Sequence, residues 1–85
     1  MKIFYLKKFL KQYKKISIDV KRIAEEREMI FRNNPHDPSL KTHKLHGELQ
    51  GFYAFSINNK IRIIFDFNKE GNVRFYTVGN HDIYY

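Results

Sequence analysis

Sixteen lysines and arginines against 9 acidic residues give this chain a formal charge of +7, a balance that suits a polyanion such as nucleic acid, the ribosome, an acidic protein or an anionic lipid surface. Its 85 residues fit one domain, 1–85, whose core is marginal on its own, and the lack of cysteine excludes disulfides and thiolate metal centres. No stretch is long and apolar enough to span a bilayer, and Met1 to Leu6 runs straight into lysines without the apolar stretch and cleavage site of a signal peptide, so the expected location is the cytoplasm.

Residues 2–5 alternate large apolar side chains and predict a short strand. Leu6, Phe9, Leu10 and Tyr13 then fall on one face of a helix, with Lys7, Lys8, Lys11, Lys14 and Lys15 covering the rest. Ser17 is a helix cap and Asp19 suits the first turn of a second helix, whose Val20, Ile23, Ala24, Arg27 and Phe31 keep helical spacing until Asn33-Asn34-Pro35 ends it. The linker-like segment 33–39 carries both prolines and divides a helical half from a strand half. Residues 51–57, 60–67 and 73–78 read as three strands, joined by a tight turn at Asn58-Asn59 and another at Glu70-Gly71-Asn72. The predicted architecture is α+β: a strand, two helices, then a three-stranded antiparallel meander with the helices on one face and the other face free for function.

All four histidines follow the helices: His36, His43, His46 and His81. Histidine is the side chain best suited to move protons near neutral pH. His43 precedes the meander and His81 follows it, two regions that a meander can bring to one rim. Arg62 lies mid-strand, alternate to Ile61 and Ile63, where it is either a solvated residue or a phosphate ligand whose fork outmatches a lysine point charge. Tyr84 and Tyr85 either close the core or stack on a base and donate a hydroxyl. Two histidines, an arginine and tyrosines suffice for RNA cleavage without a metal or cofactor: a base takes the 2′-hydroxyl proton, a cation stabilises the phosphorane, and an acid protonates the leaving oxygen. His43-x-x-His46 is at most half a metal site, since no third ligand stands nearby. His36, in its proline-flanked loop, reads as a surface residue.

The segments His43-Lys-Leu-His-Gly47, Leu49-Gln-Gly-Phe-Tyr53, Ile61-Arg-Ile-Ile-Phe65 and Gly79-Asn-His-Asp-Ile-Tyr-Tyr85 together resemble the RelE superfamily of toxins, most closely its YafQ-like members. The opening strand and aromatic, lysine-rich helix match as well. The resemblance implies the toxin of a type II toxin–antitoxin pair, which cuts messenger RNA in the ribosomal A site and is silenced by a cognate acidic antitoxin. It implies His43 as general base, Arg62 as phosphate ligand, His81 as the C-terminal catalytic histidine and Tyr85 as the closing aromatic. Lys41, Lys44, His46, Lys60 and Tyr84 are then the RNA-binding candidates. The chain departs from the YafQ pattern at Ser56, where a second histidine is usual, and at Lys60, where an aspartate is usual. Two rival readings share the fold: a ParE-like inhibitor of DNA gyrase, and a non-catalytic RNA- or partner-binding module.

Overall fold

A computed structural model describes residues 1–80. It contains β1 (Ile3–Tyr5), α1 (Lys7–Lys14), α2 (Ile18–Asn33), β2 (His43–Lys44), β3 (Tyr53–Ser56), β4 (Arg62–Phe67) and β5 (Val73–Gly79), with single 3₁₀ turns at Pro38–Leu40 and Gly47–Leu49. The strands form one sheet in the order β1-β5-β4-β3-β2. The predicted three-stranded meander is its centre, β3-β4-β5, and the sheet is larger than the meander by two strands. β1 pairs with β5 in parallel, and the two-residue β2 adds antiparallel to β3.

The helices start and stop where local chemistry requires. Ser17 Oγ accepts from the Val20 N–H at 3.3 Å, capping α2, and Asp19 lies in its first turn. α1 lacks a side-chain cap but carries Lys11 and Lys14 in its last turn, where cations complement the helix dipole. Its placement is fixed by Gln12, whose Oε1 accepts from the Val78 N–H at 2.9 Å and from Thr77 Oγ1 at 2.7 Å. β1 ends opposite Phe75, so beyond that point α1 takes over the edge of β5 that would otherwise be unpaired.

The core lies between the sheet and the two helices, and it is aromatic. Phe31 of α2 is fully buried and meets Phe55, Phe65 and Phe75 with ring centroids 4.7, 4.9 and 5.5 Å apart. Phe9 of α1 packs on Phe75 at 5.4 Å. Ile63, Phe65 and Phe67 of β4 face this core, which sends Arg62, Ile64 and Asp66 to the opposite face, the alternation the sequence predicts.

One predicted turn differs from expectation, while the other, at Glu70-Gly71-Asn72, joins β4 to β5 as predicted. Asn58-Asn59 is not a two-residue turn with positive φ. Ser56 pairs with Arg62, and Asn58 Oδ1 instead accepts from the N–H groups of Lys60 and Ile61 at 2.9 and 2.8 Å, so its side chain, not its backbone, turns the longer loop. At the next hairpin Asn68 does the same work, accepting from Glu70 and Asn72, while Gly71 supplies a φ of 78°. The face away from the helices is also less bare than predicted. Its centre is apolar, Ala54 and Ile64 being 0 % and 2 % exposed, and Leu49 and Phe52 from the segment before β3 lie beside Ile64.

Candidate functional site

The sheet register arranges that second face in rows. His43 pairs with Ala54, Ala54 with Ile64 and Ile64 with Thr77, which makes one row across four strands. Ser56, Arg62 and Gly79 form the next row. His43 and Arg62, far apart in sequence, therefore share one face in adjacent rows. His43 belongs to the short edge strand β2.

The backbone orients His43. Its Nδ1 lies 2.9 Å from the carbonyl of Lys41. A carbonyl only accepts, so Nδ1 carries the hydrogen and, in the neutral ring, Nε2 carries the lone pair. Lys41 presents that carbonyl from a left-handed conformation, φ 54°, the one positive φ at a non-glycine among the described residues. The preceding 3₁₀ turn supports it: Asp37 Oδ1 accepts from the N–H of Ser39 at 2.9 Å and from its hydroxyl at 2.7 Å. Those two donors, the hydroxyl first, hold the Asp37 carboxyl below the usual carboxylate range.

Arg62 is half-buried and anchored at one end. Its Nη1 donates to the carbonyls of Asn58 at 2.6 Å and Ile61 at 3.3 Å. The N–H groups on Nη2 and Nε have no acceptor among the described residues, leaving a pre-set edge of the guanidinium to take an anion.

Sequence reading missed a second cluster on this face. Phe65 pairs with Phe75 but Ile64 pairs with Thr77, so Tyr76 is the extra residue of a β-bulge. Its hydroxyl donates to Asp66 Oδ2 at 3.2 Å. Arg74 clamps the same carboxylate with Nε at 2.9 Å and Nη2 at 2.7 Å. Burial, then the Asp66 charge, push the Tyr76 phenol above its ordinary pKa and keep it neutral. Phe52 meets the Tyr76 ring edge-on, centroids 4.8 Å apart. Beside them a recess of about 280 Å³ is lined by Leu6, Lys8, Leu49, Phe52, Ile64, Tyr76 and Thr77. Strand alternation places Arg74 on this face, but the bulge leaves no local mark in the sequence.

Of the RNA-binding candidates, Lys41, Lys44, His46 and Lys60 are all exposed. Lys41 borders a small recess of about 80 Å³ with Arg27, Ser39 and Ser56. Lys44 and His46 border a larger one with Gln50 and Tyr53. Lys44 pairs with Tyr53, whose ring is on the helix side, so it leaves the sheet on the face opposite His43. His36 is exposed, its ring 6.2 Å from that of Tyr53. His81, Tyr84 and Tyr85 lie outside the described residues. Among the described residues no group of three or more histidine or acidic side chains is placed to hold a metal ion, and no helix is long and apolar enough to cross a membrane.

No protein-family model and no curated protein sequence matches this chain. Solved structures do. YafQ from E. coli strain BL21(DE3) superposes with a TM-score of 0.74 at 20% identity, over 95% of this chain and 93% of that one. A YoeB/ParE toxin from Agrobacterium tumefaciens gives 0.79 at 13% identity, over 95% and 99%. The toxin–antitoxin complex RelBE2 from Mycobacterium tuberculosis gives 0.67 at 18% identity, over 94% and 96%. These neighbours are toxins of toxin–antitoxin systems, and theirs is the class of fold adopted here. Within that class the fold is the RelE/YoeB type.

Proposed function

We propose that this chain is the toxin of a type II toxin–antitoxin pair and that it cleaves messenger RNA on the ribosome. The observation that carries the reading is the placement of His43 and Arg62 on one sheet face, the first with Nδ1 bonded to the Lys41 carbonyl, the second with Nη2 and Nε donors that meet no acceptor among the described residues. His43 Nε2 takes the proton of a ribose 2′-hydroxyl, and the oxygen attacks the adjacent phosphorus. Arg62 binds the non-bridging oxygens as negative charge accumulates. The 5′-oxygen leaves with a proton, the strand ending in a 2′,3′-cyclic phosphate. His81 is proposed as the acid and Tyr85 as a positioning group on the family resemblance. Lys41, Lys44, His46, Lys60 and Tyr84 are proposed to hold RNA or ribosome by charge and stacking. No step draws on a metal.

The partner proposed for the silent state is an acidic antitoxin. RelBE2 was solved as a toxin–antitoxin complex, and a +7 chain attracts an acidic segment across a distance.

Induction of the chain alone, followed by metabolic labelling, tests the reading. Protein synthesis should fall before DNA synthesis, and primer extension should find breaks within translated messenger. The reverse order, with intact messenger, would favour gyrase inhibition. Cleavage of pre-formed ribosome complexes at fixed magnesium should survive chelation of trace transition metals; activity lost and then restored by zinc or manganese would overturn the metal-free mechanism.

A further inference from the structure

We infer that the recess bordered by Phe52 and Tyr76 is a stacking subsite for one base of single-stranded RNA, flanking the nucleotide whose phosphate Arg62 holds. The inference rests on the ribonuclease reading above and names a specific binding element within it.

The two rings stand at 84° to each other. They touch each other edge to face, centroids 4.8 Å apart, and both border the recess, so they form one aromatic wall against which a base can stack without its hydrogen-bonding edge being read. The floor is apolar, from Ile64 with Leu6 and Leu49, and exposed Lys8 stands at the rim, where it can meet a phosphate. Room of about 280 Å³ admits one base.

Tyr76 is held in advance. The bulge turns it onto this face, and its hydroxyl is tied to a carboxylate that Arg74 grips with two bonds. Less rotamer freedom is then lost on binding. The same clamp removes an objection. An isolated Asp66 would repel a phosphate backbone, whereas Arg74 at 2.7 Å matches its charge.

The position agrees with a nucleotide chain. The floor residue Ile64 lies two residues along β4 from Arg62, about 7 Å at the rise of a strand. It also shares the cross-strand row of His43. A strand of RNA with its phosphate at Arg62 thus reaches the recess with a neighbouring base.

The probe is a programmed ribosome whose A-site codon carries 2-aminopurine at each position in turn and a 2′-deoxyribose at the cleaved nucleotide, so that nothing is cut. Binding of the parent protein should quench the fluorescence at one position, because stacking on an aromatic ring does so. Phe52→Leu and Tyr76→Leu should abolish the quench and weaken binding by roughly tenfold or more, the range for a lost base–aromatic stack. Phe52→Tyr and Tyr76→Phe keep a ring and should recover most of the signal, which separates stacking from a folding defect. If the parent binds the ribosome with no position quenched, or if the leucine variants quench as it does, the subsite is wrong while the ribosomal reading stands. If the leucine variants bind messenger normally but fail to bind the antitoxin, the recess holds a peptide and the inference is overturned. If the parent neither binds ribosomes nor cuts messenger, both readings fall together.

Discussion

Replacing Arg62 separates chemistry from stability. In Arg62→Ala the carbonyls of Asn58 and Ile61 lose the Nη1 donor. They sit in a hairpin loop that water reaches, so the net loss should be about 1 kcal/mol. For a domain of this size that lowers Tm by roughly 4–8 °C. The catalytic loss should be far larger. Removing one pre-set donor from a developing oxyanion typically costs about 10²–10³ in rate, and Arg62 would supply several. Single-turnover cleavage of messenger on programmed ribosomes, at a temperature where circular dichroism finds every variant folded, should therefore drop at least ~10²-fold. Arg62→Lys should regain only part of it, since one ammonium cannot hold the hairpin carbonyls and two phosphate oxygens together. A folded Arg62→Ala protein that cuts at the parent rate would refute the assignment. A Tm fall several times larger, with activity tracking the folded fraction, would reduce Arg62 to a hairpin brace.

Three further outcomes are expected. His43→Ala should slow cleavage by ~10²–10⁴-fold, while His36→Ala, exposed beside Tyr53, should change little; equal effects in the same assay would remove His43 from the mechanism. Phe31→Ala should cost about 3–5 kcal/mol by denaturant titration, a large share of the roughly 4–13 kcal/mol available to a domain of this length, and a loss under 1 kcal/mol would mean that the aromatic core is not organised around it. Because the Asp37 pKa is lowered in the folded state, the stability it adds is present above its unfolded value of 3.8 and is lost as pH falls through the folded value. The Tm deficit of Asp37→Ala at neutral pH should thus shrink in strong acid, and an undiminished deficit there would show that the carboxylate is not the group that matters.

Much of the fold is legible because its causes are local. Ser17 and Asp19 mark the start of α2, and the alternation of Ile63, Phe65 and Phe67 fixes which face of β4 carries Arg62. What stays hidden depends on distant partners. The period of residues 2–5 predicts a strand but not that it joins β5 in parallel, and β2 is too short for any periodicity. In the site, residue type pointed to His43 and Arg62, and register brings both to one face. The carbonyl that orients His43 escaped notice because it depends on a left-handed lysine. The Tyr76–Asp66–Arg74 cluster escaped because it depends on a bulge and on pairing across a hairpin. His81, Tyr84 and Tyr85, outside the described residues, rest on residue type and on the resemblance.

The parallel pairing of β1 with β5 sets an order for folding. Lys2 and Asn72, bonded at 2.9 Å, are 70 residues apart, whereas β3 and β4 close through a short hairpin loop. Loop closure grows with the logarithm of length, so joining β1 costs about 2 kcal/mol more in chain entropy than closing that hairpin. The meander should form early and the β1–α1 segment should dock late. Leu6 and Lys8, at the start of α1, belong to the recess beside Tyr76, so one wall of that recess exists only after the slowest closure. A refolding chain would acquire its sheet before it acquires this surface, and a time-resolved signal from the Phe52–Tyr76 pair should lag behind the burial of Phe31.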